Sequence, residues 1–330
     1  MSFVPVLKVH NLSTHFQTRH GVIKAVDGVH FMVAAGKTLG LVGESGCGKS
    51  VTALSILRLI EPPGKICSGE VWLNGYDLLR LPAKQMRQVR GREIALVFQE
   101  LMTSLNPVLT IGTQLTETIF SHEEVSQAEA RRRAAELLAM VGLSDPEGQM
   151  RRYPFQLSGG MRQRVMIAMA LSLRPKVLIA DEPTTALDVT VQAQILVELK
   201  RLQEELGMAI ILITHDLGVV AAMADEVAVM YAGTIVEFGP VAEVFDCPAH
   251  PYTRSLLRSV PRLSREELVP IEGQPPALLN LPAHCAFLPR CPQAGAECRG
   301  DKPGWREIGP GHAAACYRAF QSLPEEARCG

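Results

Sequence analysis

The segment Gly43-Glu44-Ser45-Gly46-Cys47-Gly48-Lys49-Ser50 lies between a short apolar run, Leu39-Gly40-Leu41-Val42, and an apolar stretch from Val51 to Ile60. The run reads as a buried strand, and the stretch, apolar nearly all round, as a buried helix. The loop between them fits G-x-x-x-x-G-K-[ST], in the strand, loop and helix context that pattern requires. Its glycines let backbone N–H groups turn inward around an anion, at the positive end of the following helix. Lys49 would reach the outer phosphates of a nucleotide, and the Ser50 hydroxyl would ligate Mg²⁺. ATP with Mg²⁺ is therefore expected on Gly43, Glu44, Ser45, Gly46, Cys47, Gly48, Lys49, Ser50 and Val51, in an α/β fold.

A second apolar run, Val177-Leu178-Ile179-Ala180, ends in two carboxylates, Asp181 and Glu182. In a parallel sheet the carboxyl ends of the strands form the ligand crevice. Asp181 is expected to help hold Mg²⁺, and Glu182 to orient and deprotonate the attacking water. From Val177 onward strands alternate with helices: a helix over about 189–206, then strands over 209–213 and 227–230. That alternation predicts a parallel sheet covered on its faces.

The opening of the chain reads differently. Val29, Phe31 and Val33 alternate as in an antiparallel, half-buried strand. Ile94 to Phe98 is another buried strand, followed by a mainly helical region over about 100–173. Within it, Ser126 and Glu129 form an expected capping box, and Gly142 stops the helix.

Composition narrows the function. With 33 basic against 34 acidic residues, no overall positive field favours nucleic acid. The N-terminus has no basic region leading into an apolar run, and no stretch approaches the ~18 apolar residues of a membrane span. A cytosolic location is expected. The length of 330 residues suggests two domains. Prolines crowd the stretch from Pro240 to Pro310 and the periodicities fade there, which puts a boundary near 240: one domain over 1–239, another over 240–330.

Leu157-Ser158-Gly159-Gly160-Met161 can open a helix whose hydroxyl, N–H groups and dipole face an anion. It resembles the signature sequence of ATP-binding-cassette (ABC) ATPases, with Met161 in place of their usual Gln. The resemblance extends in order along the chain. Gln99 resembles the glutamine that touches magnesium and senses the membrane domains. Ala186-Leu187-Asp188 resembles the D-loop, and His215 the switch histidine that contacts the γ-phosphate. Phe16 stands where such proteins stack an aromatic ring on adenine. The implied fold is a P-loop NTPase cassette with an antiparallel β-subdomain, a RecA-like parallel sheet core, a helical signature subdomain and a loop-rich C-terminal cysteine domain. In this family two cassettes face head to tail, and Ser158, Gly159 and Gly160 of one would close over ATP held by the other.

Phe98-Gln99, Met102 to Pro107, Met161 and His250-Pro251-Tyr252-Thr253 resemble the ATP-binding subunits of bacterial dipeptide and oligopeptide importers. Glu100-Leu101 departs from them, where they usually read Asp-Pro. The resemblance implies peptide uptake at the cytoplasmic face of the inner membrane. It also implies a second, different cassette as partner, two transmembrane permease subunits and an extracytoplasmic peptide-binding protein. Nickel and glutathione importers share these features. A soluble, non-transport ABC ATPase is the rival from another class; repair cassettes carry coiled-coil insertions and translation cassettes carry two cassettes per chain.

Of eight cysteines, four fall in the pattern Cys285-x5-Cys291-x6-Cys298-x17-Cys316 within a proline-braced segment. Four thiolates suit either a 4Fe-4S iron–sulfur cluster or structural Zn²⁺. The gaps are wider than the short C-x-x-C type of zinc modules, and the resembling importers carry a similar set assigned to iron–sulfur. A further reading makes this tail a redox or metal sensor with an attached ATPase.

Overall fold

In a computed structural model, residues 5–98, 104–185, 187–259 and 270–319 are described. The chain opens with strands β1 (Pro5–Thr18), β2 (Gly21–Ala34) and β3 (Thr38–Val42), then helix α1 (Lys49–Ile56). Strands β4 (Gly64–Leu73) and β5 (Tyr76–Asp77), helix α2 (Ala83–Val89) and strand β6 (Ile94–Val97) follow. Helices α3 (Ile111–Phe120), α4 (Gln127–Met140), α5 (Pro146–Met150) and α6 (Gly159–Leu171) come next. Then come β7 (Val177–Asp181), α7 (Val189–Leu206), β8 (Ala209–Thr214), α8 (Leu217–Met223), β9 (Glu226–Tyr231) and β10 (Thr234–Pro240). The last elements are α9 (Val241–Asp246), α10 (Pro251–Arg258), β11 (Arg306–Gly309) and β12 (His312–Ala314).

Two compact units result. One is built mainly on residues 80–212, the other on 7–32, 38–79 and 213 onward, so both sides of residue 240 share a unit.

In the first unit, β6 and β7 run parallel, pairing Ile94 with Val177 and Val97 with Ala180. β7 is buried along its whole length, which is why its sequence is a continuous apolar run. The helices are started by short polar side chains. Thr110 accepts from the Thr113 N–H at 3.3 Å, and Ser126 from the Glu129 N–H at 3.2 Å. The capping box is only half formed, because the Glu129 carboxylate turns to Arg132, at 2.7 and 3.0 Å, instead of reaching back. Helix α4 stops where expected, with Gly142 at φ 73°.

In the second unit, an antiparallel sheet runs in the order β2-β1-β4-β5. Val29, Phe31 and Val33 are buried along β2 while His30 and Met32 face out, the period of two legible in the sequence. A second array runs β11-β12-β10-β9-β3. Here β3 lies parallel to β9, pairing Leu41 with Ala228, and β10 returns antiparallel to β9. Val42, Val229, Tyr231, Val244, Tyr252 and Phe287 share one core cluster, so α9, α10 and the cysteine segment pack on the strand that leads into the glycine loop.

The C-terminal part is more regular than its prolines suggest. β12 pairs antiparallel with β10, matching Glu237 to Ala314. Strands of three or four residues carry no readable period; sheet-edge bonds and a buried polar anchor hold them. That anchor is Glu237, fully buried, which accepts from the N–H groups of Ala249 at 2.7 Å and His250 at 2.9 Å and lies 2.8 Å from His312 Nε2.

Candidate nucleotide-binding site

The glycine loop leaves buried β3 and enters α1. Gly48, at φ 111°, has no room for a side chain, since a Cβ there would fall 2.1 Å from the Ala25 carbonyl oxygen. Lys49 is buried and donates to the carbonyl oxygens of Gly43 at 2.8 Å and Glu44 at 3.1 Å, which holds the ammonium across the loop. Ser45 and Gly46 are exposed, while Ser50 and Val51 are half-buried at the helix start. Their geometry suits an anion bound by N–H groups, with Lys49 and the Ser50 hydroxyl beside it. Burial pushes the Cys47 thiol up, outweighing the nearby Lys49 ammonium 3.8 Å away.

Glu44 has partners that the motif does not announce. Its N–H donates to the Tyr252 hydroxyl oxygen at 2.9 Å, and its carboxylate accepts from both terminal nitrogens of Arg290 at 2.7 and 2.9 Å. Burial raises the Tyr252 phenol, so the ring stays neutral. The Pro-Arg-Cys-Pro turn around Cys291 was the only sequence signal near Arg290, and it points to cysteine chemistry.

In the same unit, Phe16 is half-buried on β1 opposite Gly64, where a Cβ would lie 2.5 Å from the ring. His215 is exposed just after β8, and Asp216 caps α8 by accepting from the N–H groups of Gly218 and Val219 at 2.8 and 3.2 Å.

The first unit holds the acidic strand and the signature. Asp181 is buried at the end of β7. Glu182 follows at φ 47°, a left-handed conformation unusual for a non-glycine residue, and its Oε2 accepts from the Thr185 hydroxyl at 2.8 Å. Ser158 caps α6, accepting from the Met161 N–H at 3.3 Å. Gly160 lies so close to α7 that a Cβ would meet Val191 Cγ1 at 2.6 Å, and Asp188 caps that helix by accepting from the Val191 N–H at 2.9 Å. The signature and the segment after the acidic strand are thus packed together. Gln99, Glu100-Leu101 and Ala186 lie outside the described residues.

Cys285, Cys291, Cys298 and Cys316 line one small cavity, all as free thiols. A formed four-thiolate metal centre is not what the structure shows: among the described residues no group of three or more His, Cys, Asp or Glu is set to hold a metal ion. The reason is packing. Cys285 and Cys291 lie against the core around Phe287, while Cys316 packs with Ala249, Ala314 and Ala319. Burial raises all three thiols, Cys316 to about 11, so they rest protonated.

Family comparisons agree with this geometry. The family profile described as ABC transporter matches residues 26–185, and the one described as oligopeptide/dipeptide transporter, C-terminal region, matches 236–298. The chain is 52% identical over 318 residues, 95% of each chain, to the probable peptide ABC transporter ATP-binding protein y4tR of Sinorhizobium fredii. The chain belongs to the ABC transporter ATPases of the oligopeptide/dipeptide type. This ABC ATPase is also 49% identical to the dipeptide transport ATP-binding protein DppD of Bacillus subtilis, over 94% of both chains. Among solved structures, it resembles the dimeric post-hydrolysis state of the ATP-binding cassette MJ0796 bound to ADP and Pi. That likeness has a TM-score of 0.64 and 31% identity, and covers 71% of this chain and 98% of the other. The cassette fold and ATPase activity follow. Among the described residues, no helix of this ABC ATPase is long and apolar enough to cross a membrane.

Proposed function

We propose that this ABC ATPase energises the uptake of dipeptides or oligopeptides, at the cytoplasmic face of a bacterial inner membrane. The observation that carries this reading is the likeness to peptide-transport ATP-binding proteins along nearly the whole chain, C-terminal region included. Its partners are a second, different cassette, two transmembrane permease subunits and an extracytoplasmic peptide-binding protein. Nickel and glutathione uptake are the alternatives within the family.

The residues divide the work as follows. Backbone N–H groups of residues 45–51 bind the phosphates, Lys49 neutralises their outer charge, and Phe16 offers a ring for adenine. Bound Mg²⁺ would supply charge stabilisation on the transferred phosphoryl group, held by Ser50, Asp181 and Gln99. Glu182 takes the proton of the attacking water, with Thr185 fixing the carboxylate. His215 and, from the partner cassette, the counterparts of Ser158, Gly159 and Gly160 complete the γ-phosphate contacts. Residues 240–330 form the region specific to this transporter type. There Cys285, Cys291, Cys298 and Cys316 would hold a 4Fe-4S cluster, with Zn²⁺ as the alternative; the shared cavity of the free thiols supports this, and binding would require their deprotonation.

Deleting the gene in its own host and measuring uptake of a labelled dipeptide, with rescue by the native chain but not by Lys49→Ala, tests the assignment. Retained peptide uptake with lost nickel or glutathione uptake would replace the substrate. Iron and zinc content of protein purified without oxygen decides the cysteine site.

A further inference from the structure

Glu44 is gripped from three directions inside one unit. Its carbonyl oxygen accepts from Lys49 Nζ at 3.1 Å, its N–H donates to Tyr252 at 2.9 Å, and its carboxylate is held by Arg290 at 2.7 and 2.9 Å. The C-terminal partners are themselves rigid. Tyr252 is fully buried, with its ring 4.5 Å from that of Tyr231 and 5.5 Å from that of Phe287. The Arg290 side chain is only 4% exposed; its Nε donates to the Glu272 carbonyl at 3.0 Å and it also reaches the Tyr231 hydroxyl at 3.4 Å.

A surface ion pair would carry little weight here. This one is two-pronged, shielded and fixed at the arginine end, the form of charge-assisted pair that imposes geometry as well as energy. Both contacts act on the same residue, one on its backbone N–H and one on its carboxylate, and its carbonyl holds the ammonium that must meet phosphate. Freeing Glu44 would let the loop and Lys49 sample other arrangements, and ATP would have to select the competent one.

We propose that Arg290 and Tyr252 are positioning residues for ATP: acting through Glu44, they preset the glycine loop and Lys49, so that nucleotide affinity depends on the C-terminal segment. This rests on the reading that ATP binds at Lys49. Arg290 immediately precedes Cys291, so whatever orders the cysteine loop also aims Arg290.

The test is equilibrium binding of a fluorescent ATP analogue with Mg²⁺ to the purified full chain, well below its melting temperature. Arg290→Met should weaken binding roughly tenfold or more, and Tyr252→Phe, which keeps the ring, by roughly fivefold. In the ligand-free protein both should speed amide hydrogen exchange over residues 44–49. Glu44→Ala removes the carboxylate that Arg290 holds, so adding Arg290→Met to it should change affinity little further. Unchanged affinity in folded Arg290→Met would overturn the proposal, as would an Arg290→Met effect undiminished by Glu44→Ala, which would mark a general structural brace. Lys49→Ala separates the two readings: if it leaves binding intact, the nucleotide assignment fails, whereas loss there with no effect of Arg290→Met sinks only the positioning role.

Discussion

The Thr185 hydroxyl donates to Oε2 of Glu182 at 2.8 Å, steadying a carboxylate whose own backbone sits in a left-handed conformation. Strain of this kind persists where surrounding structure over-determines it, often at working sites. Glu182→Gln should keep nucleotide binding while lowering ATP turnover by about 10²–10⁴-fold, because it removes the base and keeps the shape. Thr185→Val should give a smaller loss in kcat with binding intact. Steady-state hydrolysis and equilibrium binding measured on the same preparations check both; near-normal turnover in Glu182→Gln would remove that residue from the role.

Ser158 is exposed and caps α6, while Gly160 is wedged against Val191. Ser158→Arg should block ATP-driven closure of the cassette pair, yet leave ATP bound by the isolated chain. Sedimentation with and without ATP reads closure, and fluorescence titration reads binding. If the isolated variant lost ATP as fully as Lys49→Ala, the two-chain site would be wrong. Ser158→Ala should cost only about 1 kcal/mol of stability, the usual value of a cap.

Glu237 joins three segments of the C-terminal region from a fully buried position. Glu237→Ala leaves buried N–H donors without an acceptor and should cost about 3–5 kcal/mol. Urea denaturation gives the value, and limited proteolysis should cut first after residue 240. A loss below about 1 kcal/mol would mean that water replaces the carboxylate at little cost.

Cys47 is buried and its thiol is pushed up, whereas Cys67 is exposed on β4. Thiolate is the reactive form, so a raised pKa means less of it at neutral pH. N-ethylmaleimide should therefore label Cys67 well before Cys47. The Cys47 rate should keep climbing with pH beyond about 8.5, where an ordinary thiol begins to level off. Peptide mapping by mass spectrometry over a pH series reads this directly; equal rates at pH 7 would contradict the burial of Cys47.

What was legible in the sequence was what short-range pattern can carry. The glycine loop, the apolar runs at β3, β6, β7 and β8, and the helix over Val189–Leu206 are local, so spacing and residue type suffice to find them. Serine and threonine caps are local too, although Glu129 chose Arg132 over the reciprocal cap because the ion pair was in reach one turn on. Tertiary structure decided the rest. β11 and β12 exist because the edge of β10 and the buried Glu237 make a place for them, and no three-residue segment carries that information. The four cysteines come from separate stretches of chain to line one small cavity, and there Cys285 and Cys291 rest against one apolar cluster and Cys316 against another, a placement that spacing does not reveal. Arg290 meets Glu44 across 246 residues of chain, a distance over which only the fold can choose a partner.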